Sequence, residues 1–389
     1  MLKVLAILPT GRVFGLQIMT LRLFERLSGK IKSHFLVTRW TDGEFSRRLD
    51  ELRIPYTYSW LGMFSRKLDW INLYMTMHCL ARLPRLYRDF VKLVKSYRPD
   101  IIYTANHHEL ILLTPILSLL DIPVLCHMHD PPPAICFQRG MVRFWGRAVD
   151  HYIAISSSVF DRLASLGIEE KKITMLHNGI DLGYFSDHKR GLGDHSAAEK
   201  GNDSVVVGMT GQMLENKGHW DFLEAARLVH QDHLNVRFVI GGKPTEPYLS
   251  RLRDYTIKHH VDERITFSGW EPDVRRFYST IDVLVLPSRH EEGFGLVTAE
   301  AMAMGLPVIA TRSGGAGEVV EDGKTGILVE KQNPQELAEA IRCLVKSPDR
   351  RVSMGKAGRQ RVEECFDLSK QAAEFEAILE SVADSHKER

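Results

Sequence analysis

Short apolar runs alternate with segments of helical period along the whole chain. Leu2–Leu8 reads as a buried parallel strand. After the loop PTGRVFG, Leu16, Met19, Leu23, Phe24 and Leu27 recur at helical spacing until Gly29. The runs HFLVTR (34–39), DIIYTA (100–105), IPVLCHMH (122–129) and HYIAIS (151–156) continue the series, with helical stretches between them. This alternation predicts parallel α/β units.

The pattern changes after HNGIDLGYF (177–185), where SDHKRGLGDHSAAEKGND is polar and glycine-containing, as expected of a linker or surface loop. A second series follows: SVVVGMTG, RFVIGG, RITFSG, DVLVLPS, LPVIAT and GILVE. The expected fold is therefore α/β, with two doubly wound parallel-sheet domains over residues 1–180 and 181–367. An amphipathic helix at about 368–389 is expected to pack back on the first. Open parallel sheets bind ligands beyond the carboxyl ends of their strands, so two such halves would enclose a cleft.

The 389 residues are 44% hydrophobic and 26% charged, ordinary globular composition for two cores. A net charge of +2 gives no reason to expect nucleic acid as a partner. The five cysteines form no CxxC pair, which argues against a disulfide framework or a zinc site and favours a reducing compartment. The first apolar run is too short for a signal peptide, and nowhere do eighteen apolar residues follow one another. The expectation is a cytoplasmic protein.

Chemistry concentrates in PSRHEEGFGLVTAEAMAMGLPVIATRSGG (287–315), a strand, a glycine loop and a helix. Such an element holds phosphate, yet this one carries Glu292 and Glu300 with seven residues between them. Carboxylates accept hydrogen bonds from hydroxyls, and a nucleotide sugar has hydroxyls on both sides of its diphosphate. Glu300 lies in an almost wholly apolar segment, where a carboxylate is costly without a partner. Backbone amides and cations remain for the phosphates: Gly211 with Lys217 and Gly218 in one loop, Gly293 and Gly295 in another, Gly11 and Gly15 in a third. EDGKTGI lacks the glycine of a Walker loop at position 318 and reads as a turn, and no GxGxxG follows the first strand. There is no Asp-x-Asp pair to place a divalent ion on a nucleotide sugar, so neither a metal nor a cofactor is expected.

The stretch EEGFGLVTAEAMAMGLPVIATRSGG closely resembles the E-x7-E signature of retaining glycosyltransferase family 4, with the GT-B fold of two Rossmann-like domains. GQMLENKG resembles the family's diphosphate loop, HNGIDLGYF its interdomain segment and HMHD the end of an N-domain strand. The resemblance implies that Glu292 bonds the transferred sugar. It implies that the amides of Gly293, Phe294, Gly295 and Leu296 support sugar and phosphate. Glu300 would hold the ribose, Lys217 the diphosphate, and His129 would lie beside the sugar. Catalytic roles are thus expected of His129, Lys217 and Glu292. One departure matters: after Gly211 the family usually has arginine, and here stands Gln212. Arg12 or Arg312 could substitute. The expected reaction moves a hexose-type sugar, with retention, from a UDP- or GDP-sugar to a hydroxyl. The alternatives are a nucleotide-sugar binder without catalysis, a phosphorylase or an epimerase.

The acceptor is expected in the first half. Residues 58–98 hold Arg66, Lys67, Arg82, Arg85, Arg88, Lys92, Lys95 and Arg98 against Asp69 and Asp89, with Trp60, Phe64 and Trp70. This composition suits an anionic membrane surface and a lipid-linked saccharide, or else a solvated basic helix pair. Serines 156–158 are expected to cap a helix, and His127 shares a strand face with His129.

Overall fold

The computed structural model describes residues 1–8, 15–61, 70–106, 110–132, 138–186, 204–232 and 234–388. The chain forms two compact units, Met1–Gly179 with Leu368–Arg389, and Ile180–Asp367.

The first unit is built on seven parallel strands: β1 (Leu2–Leu8), β2 (Ile31–Thr38), β3 (Tyr56–Ser59), β4 (Ile101–Thr104), β5 (Val124–Met128), β6 (His151–Ala154) and β7 (Ile173–Met175). Their order is β3-β2-β1-β4-β5-β6-β7. β1 is an interior strand, between β2 and β4, with Val4, Leu5, Ala6 and Ile7 fully buried, as a strand covered on both faces requires. The two edge strands, β3 and β7, are absent from the apolar runs of the sequence. An edge strand has one open flank, and YTYS and ITM need no continuous apolar run to hold their places.

The last helix, Leu368–Lys387, belongs to this unit. Its Phe375 is fully buried and packs edge-on against Phe24 and Tyr103, with ring centroids 5.9 and 5.6 Å away. A phenyl ring so buried contributes on the order of 1.5–3 kcal/mol. The chain's final segment therefore completes the core of the sheet that its first segment began. Ser156 caps the helix Ser157–Ser165, its hydroxyl accepting from the Val159 amide at 3.3 Å.

The second unit has six parallel strands: β8 (Val205–Thr210), β9 (Val236–Gly241), β10 (Ile265–Gly269), β11 (Val283–Leu286), β12 (Val308–Thr311) and β13 (Gly326–Val329). They run in the order β10-β9-β8-β11-β12-β13. Phe222, Phe238, Leu252, Ile309 and Ile341 are among the residues that close its core. The direction in which successive strands are added reverses between β8 and β11. In a doubly wound sheet that is the place where flanking loops diverge and leave room for a ligand.

One device fixes register in both sheets. An aspartate just ahead of a strand accepts from a backbone amide of the neighbouring strand. Asp100 takes the Lys3 amide at 2.8 Å, Asp150 that of Val124 at 3.0 Å and Asp282 that of Val206 at 2.8 Å. In each case the aspartate's own amide donates to the carbonyl of the same residue, so two bonds pin the strand start. Among the described residues no helix is long and apolar enough to cross a membrane.

Candidate active site

The loops leaving β8 and β11 meet so closely that one contact admits only glycine. Gly218 has φ +79°, and a Cβ there would lie 1.7 Å from the Pro287 carbonyl oxygen. The contact is reinforced from both directions. The Arg289 amide donates to the Asn216 carbonyl at 2.9 Å. The Arg289 guanidinium makes two bonds, 2.7 and 2.6 Å, to the buried carboxylate of Asp221 on the helix His219–His230. A buried carboxylate is sustained by such a bidentate partner and would be costly without it.

A third loop, after β12, holds the other side. Gly314 has φ +47°, with the Glu292 carbonyl oxygen 2.2 Å from where a Cβ would stand. The Gly315 amide donates to that same carbonyl at 2.9 Å. The backbone at Glu292 is thus held by the loop after β12, as that at Pro287 and Arg289 is by the loop after β8.

Lys217 and Glu292 face each other across this junction. The Lys217 ammonium donates to Glu292 Oε1 at 2.8 Å. The fully buried Ser288 hydroxyl donates to the same oxygen, and His290 Nε2 stands 3.8 Å away. Burial alone would raise the Glu292 carboxyl. The Lys217 charge, the hydrogen bonds from Lys217 and Ser288, and His290 outweigh it and hold the group below the usual carboxylate range. Oε1 is therefore occupied by the protein, whereas Oε2 accepts no hydrogen bond from the described residues. Lys217 spends one of its three donors here. Both groups retain capacity for a ligand: an acceptor for a hydroxyl and donors for an anion.

Gly295 begins the helix Leu296–Ala303 with φ +86°. An α-helix leaves its first amides without an intrahelical acceptor, and its dipole favours an anion at that end. The Phe294 ring turns inward, edge-on to Phe366 at 5.3 Å, so this residue anchors the loop through its ring. One turn along, Glu300 Oε2 accepts from the hydroxyl of fully buried Tyr278 at 2.9 Å. Burial and the Glu300 charge push Tyr278 well above its ordinary value, so it stays a donor.

In the second unit Gly211, Gln212 and Lys217 lie on the loop after β8, and Glu292, Gly293, Phe294, Gly295, Leu296 and Glu300 on the loop and helix after β11, with Lys217 and Glu292 in direct contact. Gly15 and His129 belong to the first unit, and Gly11 and Arg12 lie outside the described residues. Lys217 and Glu292, 75 positions apart in the chain, form an ion pair. One expectation needs revision. Arg312 does not stand in for the missing arginine: Asp322 and Glu330 engage it on the surface. Ser288, Asp221, Arg289 and Tyr278 escaped the sequence reading. None forms a motif with its partner, which lies 4 to 68 positions away.

His129 directly follows β5, its ring beside that of His127 with centroids 4.2 Å apart. Burial pushes His129 down to about 3, and burial with the neighbouring His129 lowers His127. The Tyr103 hydroxyl lies 3.1 Å from His127 Nδ1, while Nε2 of each ring is buried without a hydrogen-bond partner among the described residues. The two rings line a small cavity with Met19, Thr20, Asn178 and Gln371.

Family models match both halves of the chain. Residues 15–184 match Glycosyltransferase Family 4, and residues 194–361 match Glycosyl transferases group 1. The capsular polysaccharide biosynthesis glycosyltransferase CapM of Staphylococcus aureus is 32% identical over 232 residues, 55% of this chain and 57% of that protein. A glycogen synthase of Mycobacterium tuberculosis is 28% identical over 289 residues, 70% of this chain and 66% of that one. The lipopolysaccharide core biosynthesis mannosyltransferase LpcC of Rhizobium leguminosarum is 28% identical, over 55% and 61% of the respective chains. The matches thus span less than two thirds of these relatives' own length. In fold, the chain is similar to Anabaena HepE in complex with UDP and glucose, with TM-score 0.79, 20% identity, and coverage of 98% of this chain and 100% of that one. It is equally similar to the sucrose-phosphate synthase of Thermosynechococcus elongatus, with TM-score 0.80, 20% identity, and coverage of 99% and 100%. With two family models covering its two halves and the GT-B fold along its length, the chain belongs to the GT4-type glycosyltransferases.

Proposed function

We propose that the protein transfers a hexose-type sugar, with retention, from a nucleotide-diphosphate sugar to a hydroxyl of a saccharide or lipid-linked saccharide. The observation that carries this reading is the Lys217–Glu292 pair. It combines unused cationic donors with an unused carboxylate oxygen at the switch point of a doubly wound sheet, ahead of a helix N-terminus. A diphosphate and a sugar hydroxyl are the ligand groups that match these two capacities. UDP and glucose in the HepE complex, and the polysaccharide and lipopolysaccharide products in the relatives' names, point the same way.

In the proposed step the bond between the anomeric carbon and the phosphate oxygen breaks. The acceptor oxygen bonds to that carbon on the same face, and its proton passes to the departing phosphate. Lys217 and the amides at Gly293–Leu296 stabilise the charge growing on the diphosphate. Glu292 orients the sugar through Oε2, and Glu300 takes the ribose hydroxyls. A divalent ion is not required in this scheme, since Asp-x-Asp pairs are missing from the sequence.

The test is release of nucleoside diphosphate from a panel of UDP- and GDP-sugars, with and without saccharide acceptors and with EDTA present. Release from one donor class, retained in EDTA, supports the reading. Binding of a nucleotide sugar without any turnover would mark a silent binder instead, and turnover abolished by EDTA and restored by Mg²⁺ would overturn the metal-free scheme.

A further inference from the structure

The helix Trp70–Ala81 in the first unit carries a stripe of apolar residues that faces away from the core. Trp70 is 86% exposed, Tyr74 64% and Met77 60%, with Leu73 and Leu80 also exposed. Their spacing of three and four residues puts them on one face. The opposite face makes the contacts with the fold: Cys79 is buried, and the His78 ring lies 4.7 Å from that of Trp40 and 5.7 Å from that of Trp60. So the helix is anchored by one side and presents an aromatic and aliphatic stripe on the other. Contiguous exposed apolar surface of this kind marks an interaction site.

The next helix, Leu83–Tyr97, supplies charge. Leu86, Phe90 and Val94 are buried, while Arg85, Arg88, Lys92 and Lys95 recur on the exposed side. Across residues 70–98 there are six basic residues and a single acidic one, Asp89, which pairs with Arg85 and Arg88. Arg82, at the junction of the helices, stacks over the Trp60 ring at 4.7 Å.

We propose that this helix pair docks on the surface of a bilayer containing anionic lipid. The apolar stripe would insert at headgroup depth, and the basic row would lie against acidic headgroups. An apolar face flanked by Lys and Arg, on a chain with no described membrane-spanning helix, has the composition of an interfacial helix. Charge decides against a second copy as the occupant. A two-fold interface opposes each patch to itself, and here that would face one basic row with another. The inference stands on the first unit alone and does not depend on the reading of the donor site.

The experiment is co-sedimentation of the full-length chain with vesicles of phosphatidylcholine alone or mixed with phosphatidylglycerol, over a range of salt. The wild type should bind the acidic vesicles at low salt and leave them as salt rises. Arg85→Gln, Arg88→Gln, Lys92→Gln and Lys95→Gln together should weaken that binding about 100-fold or more. Trp70→Ser, Tyr74→Ser and Met77→Ser together should remove the salt-resistant remainder and the blue shift of tryptophan fluorescence on binding. Both sets lie on the surface, so an unchanged melting temperature and nucleotide affinity will show that the variants are folded. Two outcomes overturn the proposal: no binding to acidic vesicles at low salt, or a concentration-dependent dimer that the three serine substitutions dissolve.

Discussion

Tyr278 shows how the site reaches beyond the residues that would touch a ligand. It is fully buried, its one hydroxyl proton points to Glu300 Oε2 at 2.9 Å with the Val297 carbonyl 3.2 Å away, and it keeps that proton at ordinary pH. The Glu300 carboxylate is therefore held in one orientation before any ligand arrives. Glu300→Gln should weaken binding of a nucleoside diphosphate by roughly 1.5–3 kcal/mol, the size of a charge-assisted bond. Tyr278→Phe should weaken it by about 1 kcal/mol through lost orientation. The two effects should not add, since both act through one carboxylate. Calorimetric titration of the two single variants and the double variant settles it; equal affinity in all four proteins would remove Glu300 from the ribose. At this scale the sequence was half legible. Glu292, Glu300 and Lys217 stand out as charges among glycines and apolar residues. Tyr278 could not stand out, since a tyrosine in RRFYST looks like any helix residue until the fold brings Glu300 to its hydroxyl.

At the scale of elements, the site depends on glycines that let loops touch. Gly218 at φ +79° presses on the Pro287 carbonyl, and Gly314 at φ +47° on the Glu292 carbonyl. Gly242 does the same to Gly211, where a Cβ would lie 1.8 Å from the Gly211 carbonyl oxygen. Gly218→Ala must push the Lys217 loop away from the end of β11. We expect it to cost at least 1–3 kcal/mol, about what a strained backbone residue costs, and to lower turnover more than the melting temperature alone would suggest. Side-chain removal at the nearby exposed Glu215 is the control, and it should leave both quantities close to wild type. A Gly218→Ala protein with full activity would mean that the two loops need not touch. The strand–loop–helix order of these elements is readable from apolar runs and glycines. Which glycine meets which carbonyl is not, because it depends on strand order, and sequence runs alone do not give β8 and β11 as neighbours.

Across the whole molecule, two buried histidines set a limit on acid stability. His129 is pushed down to about 3 and His127 is also lowered, both first by burial. In the unfolded chain each titrates near its ordinary value of 6.5. The native state then stays unprotonated while the unfolded state gains protons, so the stability is present above about pH 6.5 and is lost as pH falls below it. Each ring contributes a slope of up to about 1.4 kcal/mol per pH unit. The melting temperature should fall between pH 7 and pH 5, ahead of the window in which depressed carboxylates such as Glu292 lose their contribution. His129→Gln should flatten that decline; a flat profile in the wild type would contradict the buried neutral pair. The two-series architecture of the chain was plain from its apolar runs, while the seven-strand width of the first sheet was not. Its two outer strands are three and four residues long and partly polar, as an edge permits.

The central claim is that Lys217 and Glu292 form the place where a leaving diphosphate and a sugar meet, and Lys217→Ala tests it most directly. Steady-state kinetics with the preferred nucleotide sugar at saturating acceptor would give kcat and KM for wild type and variant. Charge grows on the departing phosphate in the transition state, so a cation fixed there should act mainly on kcat. Loss of the lysine should lower kcat by ~10²-fold or more, the scale of a lost oxyanion donor, with a smaller change in KM. A change in KM alone would make the lysine a uniform binding contact, and no change in either would contradict the account.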